Sequence, residues 1–193
     1  MAGQRDYDPL VILVSGKRKS GKDYFSNTVH KKLGSDLSTI LHISDPLKRE
    51  YAKINSLNFD RLMDSSSYKE KYRIDMVEWG ERKRKSDPTY FCRKAVETSL
   101  DNTVRIWIIA DIRRFTDIYF FEQFKNLKVR IKAEDKIREK RGWIFTKGID
   151  DCETETNLDD YANWDFVINN NDDSFQMEKE IEKLSSRLKE LIC

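Results

Sequence analysis

Val11-Ile12-Leu13-Val14-Ser15-Gly16-Lys17-Arg18-Lys19-Ser20-Gly21-Lys22-Asp23 is the stretch that decides the fold of this chain. Its apolar run has the composition of a buried parallel strand. Gly16 and the Gly21-Lys22 pair follow at the spacing that lets backbone N–H groups curl around an anion at the start of a helix. The phosphate-loop pattern G-x-x-x-x-G-K-S/T is matched at every defined position except the last, where Asp23 replaces the hydroxyl residue that ordinarily holds magnesium. A match lying directly between a strand-like run and the helical pattern Tyr24 to Leu33 points to nucleotide phosphates. A merely solvated turn leaves the clustering of Lys17, Arg18, Lys19 and Lys22 unexplained. A carboxylate is an acceptable hard-oxygen ligand for magnesium, so a nucleoside triphosphate with Mg2+ is the expected ligand.

At 193 residues the chain can bury one substantial core, and one domain with a mobile insertion is the simplest account. Charged residues make up 36% of the chain yet the net charge is only +2, so overall charge gives no support to nucleic-acid binding. Basic residues instead bunch locally, around 17–22, 82–85, 93–94, 113–114 and 136–141, while acids gather around 150–160. That arrangement suits a small polyanionic ligand. Cys92, Cys152 and Cys193 show no paired spacing, and with only His30 and His42 a zinc site lacks ligands. Free thiols in a reducing compartment are expected. No window approaches the ~20 apolar residues that span a bilayer, and the N-terminus has no apolar leader. The C-terminal Leu-Ile-Cys is neither a peroxisomal address nor a prenylation site. A cytosolic, monomeric protein without membrane or nucleic-acid partners is the expectation.

Periodicity places a second strand at Thr39 to Ser44, ended by Asp45-Pro46, then helices at Leu47 to Ile54, Phe59 to Met63, Tyr68 to Lys85 and Thr89 to Leu100. Val104 to Ala110 reads as a central strand buried on both faces and ending at Asp111. A helix from Phe115 to Phe124, a strand from Lys128 to Ala133, a basic helical segment to Arg141, an acidic loop, a strand Phe166 to Asn169 and a helix from Phe175 complete the order. The fold class is α/β: a P-loop NTPase-like, mostly parallel sheet of about five strands flanked by helices, with ligands at the carboxyl ends of the strands.

Three constellations fall at those ends. Asp111 can hold magnesium or its waters, and Arg113-Arg114 can grip phosphate through planar bidentate donors. Arg138 and Arg141, three apart on one helix face, read as a lid over a transferring phosphoryl group, with Gly142 and the acidic segment 150–155 as its mobile continuation. Arg82, Lys83, Arg84, Lys85, Arg93 and Lys94 form a basic cluster between the second and central strands, suited to an anionic acceptor or to a solvated face. Tyr68, Tyr72 and Trp79 recur at helical spacing and are assigned to packing, and His42 to a packed histidine. Phosphoryl transfer needs positioning and charge neutralisation more than an imidazole.

These motifs together resemble the animal-type phosphomevalonate kinases. The likeness rests on Ser15 to Asp23, Asp45-Pro46-Leu47-Lys48, Leu57-Asn58-Phe59, Ser67-Tyr68-Lys69-Glu70, Trp79-Gly80-Glu81, Asp87-Pro88, Phe91-Cys92-Arg93-Lys94, Asp111 with Arg113-Arg114, and Arg141-Gly142-Trp143. It covers nearly the whole chain, and it implies a nucleoside-monophosphate-kinase-like fold that transfers the γ-phosphoryl of ATP to (R)-5-phosphomevalonate. The chain would then be a single kinase domain over 1–193, with a phosphate loop at 16–23, an acceptor-binding helical region near 45–100 and a lid near 134–156. Carried over by position, Lys22, Asp23 and Arg141 would be catalytic. Gly16, Lys17, Arg18, Lys19, Ser20, Gly21, Lys22, Asp23, Arg138, Arg141 and Asn171 would contact ATP. Lys48, Lys69, Arg73, Arg84, Arg93, Arg113, Arg114 and Asn170 would face the acceptor, and Asp23 and Asp111 the metal. Unlike some relatives, the chain lacks a peroxisome-like C-terminal tripeptide.

Read from the residues alone, the acceptor stays a small anionic phosphate ester. A deoxynucleoside monophosphate kinase, since some phage enzymes carry a Ser-Gly-Lys-Asp loop, and an ATP-gated binding module stand as the other readings.

Overall fold

A computed structural model describes residues 8–63, 67–97, 104–171 and 174–192. Five strands, β1 (Leu10–Ser15), β2 (Ser38–Leu41), β3 (Ile106–Ile112), β4 (Asn126–Lys132) and β5 (Phe166–Asn169), form one sheet in the order β2-β3-β1-β4-β5. Every pairing is parallel. β1 is buried along its whole length, as an apolar run between two covered faces must be.

Alternation along β1 divides the core into two layers. Leu10, Ile12 and Val14 face α1 (Lys22–Leu33) and α9 (Ser174–Ile192), packing on Phe25, Val29, Ile181, Leu184 and Leu188. Val11 and Leu13 face the other side with Trp107 and Ile109, under α2 (Ser44–Ile54), α3 (Phe59–Met63), α4 (Ser67–Ser86), α5 (Tyr90–Glu97) and α6 (Phe115–Phe121). Tyr68, Tyr72 and Trp79 pack against this second layer, as their helical spacing anticipates. Two short helices, α7 (Asp135–Lys140) and α8 (Glu153–Thr156), lie between β4 and β5.

Several boundaries differ from the sequence reading: β3 starts at Ile106, β4 spans Asn126–Lys132, and α6 ends at Phe121. β2 stops at Leu41 and α2 begins at Ser44, because the backbone N–H groups of Ile43 and Ser44 turn to the Asp111 carboxylate, at 2.7 and 3.0 Å. β3 runs through Asp111 to Ile112, whose register with Ser15 continues the pairing past the apolar run. The acidic segment contains helix α8, too short to leave a periodic signal. The last three residues of the helix expected over Thr89 to Leu100, the N-terminal segment 1–7 and Cys193 lie outside the described residues. No helix among the described residues is long and apolar enough to cross a membrane.

Leu184 is fully buried between α9 and the sheet. Leu184→Ala is expected to destabilise the protein by about 2–5 kcal/mol, from lost transfer energy and the cavity left behind. Urea unfolding of the two proteins measures this, and a loss below about 1 kcal/mol would mean that α9 is not an integral wall of the core.

Candidate active site

The phosphate loop is held by its own carbonyls. Gly21 has φ +97°, a left-handed conformation in which an added Cβ would also collide with the Asn170 amide nitrogen. Lys19, at φ +61°, adopts the same region without a glycine's freedom. The strain is supported from outside the loop. Arg138 Nε donates to the Arg18 carbonyl at 2.8 Å, Arg141 Nη1 reaches the carbonyls of Lys19 and Ser20 at 3.4 Å, and Asn170 Nδ2 donates to the Ser20 carbonyl at 2.8 Å. Arg141 Nη2 also donates to the Asn170 carbonyl at 2.9 Å. Tying the carbonyls back in this way leaves the loop's N–H groups and the first turn of α1 to an incoming anion.

Lys22 opens α1, with its side chain 12% exposed. Burial, and then the Arg113 guanidinium, push its ammonium below the ordinary lysine range, while Asp23, Asp111 and Glu155 pull it back up. Asp23, next in the chain, is mostly exposed and stands 3.5 Å from the Lys22 Nζ.

Beyond the loop, toward β2 and β3, opens a cavity of about 800 Å3. Lys22, Arg18, Lys19, Lys48, Lys69, Arg73, Arg84 and Arg113 line it against Asp23, Asp45, Glu70, Asp111 and Glu155, so cations outnumber carboxylates eight to five. Lys69 bears the consequence. Burial first, then Lys48 and Arg73, lower its ammonium to about 8. Such a site favours ligands that carry several negative charges. A second cavity of about 560 Å3 lies on the β4 and β5 side and is lined by Lys17, Ser20, Arg138 and Asn171, with Arg130 and the turn from Ile131 to Asp135. The phosphate loop separates the two.

Several expected site residues take other places. Asp111 gives both oxygens to backbone N–H groups of residues 43 and 44. Burial pushes its carboxyl up, but His42, Ser44 and Lys48 outweigh that and hold it below its ordinary value. Asp111 therefore fixes the start of α2 beside the cavity. Arg114 does not line the cavity; it pairs with Glu81 and Glu153 at the head of α6. Arg93 pairs with Asp87 on a side chain 44% exposed, also outside the cavity. Asn170, expected at the acceptor, instead positions the phosphate loop. Asn171 donates to Glu134 at 2.9 Å. Cys92, beside Arg93, is buried and donates to Asp117, and burial pushes its thiol far above its usual range.

The acidic segment expected to continue a mobile lid is anchored to the phosphate loop. Asp150 pairs with Arg18 at 2.8 Å, and Asp159 with Lys17 at 2.7 Å. Glu155 bridges the Arg113 side chain and the Arg18 backbone N–H. Arg130 was missed altogether. Buried on β4, it donates to Ser15 Oγ and to Asp159, both at 2.9 Å, and its place between Lys128 and Lys132 in an alternating strand gave no signal that set it apart from a solvated cation.

Gly21→Ala should therefore lose at least about tenfold in affinity for a non-hydrolysable ATP analogue, since the loop must move to admit a Cβ at a positive φ. Unchanged affinity in an equilibrium titration would mean that the loop's shape does not matter to the anion.

The phosphomevalonate kinase family model matches residues 14–127. The phosphomevalonate kinase of Drosophila melanogaster is 40% identical over 173 residues, spanning 87% of this chain and 91% of the fly protein. Among solved structures, TT1252 from Thermus thermophilus superposes with a TM-score of 0.53 at 14% identity, covering 94% of this chain and 99% of that one, a likeness of fold. From the match across the phosphate loop and the cavity-forming helices, and from the identity that extends it over most of the length, it follows that this chain belongs to the phosphomevalonate kinase family.

Proposed function

We infer that the protein transfers the γ-phosphoryl group of ATP to the phosphate of 5-phosphomevalonate, giving ADP and 5-diphosphomevalonate in isoprenoid and sterol synthesis. The observation that carries this reading is the cavity beside Lys22, where cations exceed carboxylates and where burial, then Lys48 and Arg73, lower Lys69 to about 8. An acceptor with a phosphate at one end and a carboxylate at the other supplies the missing negative charge. ATP lies with its phosphates in the loop 16–23 and its nucleoside in the cavity bounded by Arg138 and Asn171.

The chemistry asks for little covalent help. The acceptor phosphate, with a second pKa of about 6, is already ionised at neutral pH. One of its oxygens attacks the γ-phosphorus as the bond from that phosphorus to the β–γ bridging oxygen breaks, and ADP leaves with the electron pair. No general base is required, which suits a site whose one imidazole, His42, sits 4.0 Å from Asp111. Lys22 and Arg113 neutralise charge on the transferring group, and Arg141 closes the loop's far side. The segment 134–156 serves as the lid, its carboxylates Asp150 on Arg18 and Glu155 on Arg113 giving way as substrate phosphates arrive.

Magnesium is the group this chemistry implies. Among the described residues no cluster of three or more His, Cys, Asp or Glu side chains could cage a metal. Magnesium does not need one, since it keeps several waters and is held through one or two carboxylates and substrate phosphates. Asp23, exposed at the start of α1, fits that role, whereas both oxygens of Asp111 are taken by backbone N–H groups and would reach the ion through water. The ion would supply charge neutralisation between the β- and γ-phosphates. The unpaired thiols of Cys92 and Cys152 accord with a cytosolic setting.

A coupled ADP-release assay with phosphomevalonate, mevalonate and nucleoside monophosphates as acceptors tests the reading. ADP should appear with phosphomevalonate far faster than with the others. Preference for a nucleoside monophosphate, or ADP release independent of acceptor, would contradict it.

The lowered Lys69 ammonium adds a pH dependence. Free protein loses this proton as pH rises through about 8, whereas a bound anion retains it. Acceptor affinity should thus be full below pH 8 and weaken above it, by up to about tenfold near pH 9, with ATP-analogue affinity moving less. Lys69→Met should bind more weakly throughout and flatten the profile between pH 7 and 9. A Lys69→Met profile as steep as wild type would assign the dependence to another group.

A further inference from the structure

Helix α4 presents an ordered stripe to the acceptor cavity. Lys69, Arg73, Met76, Val77 and Arg84 all line it, at spacings that keep them on one helix face. Read along the helix, the stripe is two cations, then an apolar middle, then a third cation. Across from the middle stands Leu47 of α2.

Gly80 falls within the apolar stretch and is itself buried. A Cβ there would sit 2.6 Å from Leu47 Cδ1 and 3.5 Å from Arg84 Nη1. The missing side chain is what lets Leu47 lie against α4, while Arg84 would stay at ordinary contact distance. Leu47 and Met76 are 9% and 6% exposed, so the wall is packed from behind and its shape is set by neighbours. Among the described residues no Phe, Tyr or Trp lines this cavity. Its one aromatic ring among the described residues is the imidazole of His42, next to Asp111, while along α4 an aliphatic group finds apolar contact.

We propose that Leu47, Met76 and Val77, with Gly80 behind them, form the specificity-determining subsite that reads the methyl-bearing carbon of the acceptor. The cations at either end of the stripe hold the two anionic ends; the apolar middle decides what may lie between them. This inference rests on the phosphomevalonate reading given above and adds to it the residues that select the branched skeleton. Charge alone would accept any phosphorylated hydroxy acid of similar length. A methyl group filling an apolar pocket is worth roughly 10–200-fold in discrimination.

The test compares kcat/KM for phosphomevalonate with that for its analogue bearing hydrogen in place of the methyl group, in wild type, Val77→Ala and Val77→Thr. Val77→Thr keeps the volume and changes the polarity, so it guards against a folding defect in the smaller variant, and thermal unfolding is followed for both. Wild type should prefer the methyl-bearing acceptor by about tenfold or more. Both variants should reduce that ratio at least about threefold, mainly through the methyl-bearing acceptor, with affinity for an ATP analogue unchanged. Gly80→Ala, which forces Leu47 into the cavity, should reject the methyl-bearing acceptor more than the unbranched one. Turnover of both acceptors with the wild-type ratio retained in Val77→Ala and Val77→Thr overturns the subsite alone. Turnover of neither acceptor by wild type overturns the functional reading, and the subsite with it.

Discussion

A lysine held out of water, its charge opposed by burial and by Arg113 more than Asp23, Asp111 and Glu155 relieve it, is the constraint around which the rest of the protein is arranged. Lys22 is placed by the turn at Gly21, and that turn survives because Arg138, Arg141 and Asn170 take up the carbonyls of residues 18–20. Burial and Arg113 both disfavour its charge. In isolation that is a cost to folding. It becomes an advantage when a polyphosphate arrives, because the stabilisation withheld from the free protein is released to the ligand, and most fully where charge builds in the transition state.

Sheet topology turns this one position into a site for two substrates. With β1 central and β3 and β4 on its two sides, the loop after β1 sits between a cavity on the β2 and β3 side and another on the β4 and β5 side. Each cavity draws its walls from helices that the corresponding strand order delivers. Helices α2 and α4 supply cations and an apolar wall to one, and the turn after β4 and the start of α7 shape the other. Asp111 fixes the first cavity's wall by gripping the backbone at the start of α2 from the end of β3.

The parts of this arrangement legible in the sequence are those that depend on local pattern. The phosphate loop, the parallel alternation and the packing role of Tyr68, Tyr72 and Trp79 follow from spacing and periodicity alone. Lys48, Lys69, Arg73 and Arg84 came from family likeness, and the cavity indeed gathers them. Arg93, Arg114 and Asn170 were placed at the acceptor by the same likeness, Arg93 and Arg114 also by their basic clusters. What type cannot show is which partner wins. Arg114 is turned by Glu81 and Glu153, Arg93 by Asp87 outside the cavity, and Asn170 by a carbonyl 150 positions earlier. The same limit hid Glu155 and Arg130, whose roles depend on contacts between segments remote in sequence. The acidic run was visible as composition, but that it anchors to the phosphate loop is a fact of tertiary structure.

The claim that the positive charge of Lys22 is held at a cost in the free protein is tested most directly by Lys22→Met, which keeps the aliphatic stem and removes the ammonium. Because the folded state lowers this group's pKa, its charge opposes folding at neutral pH, below the ordinary lysine value. Ligand-free Lys22→Met should therefore unfold at a higher temperature than wild type, yet gain little further stability from an ATP analogue and lose turnover by about 10²–10³-fold. A ligand-free variant less stable than wild type, or one still stabilised by the analogue to the wild-type extent, would contradict the account.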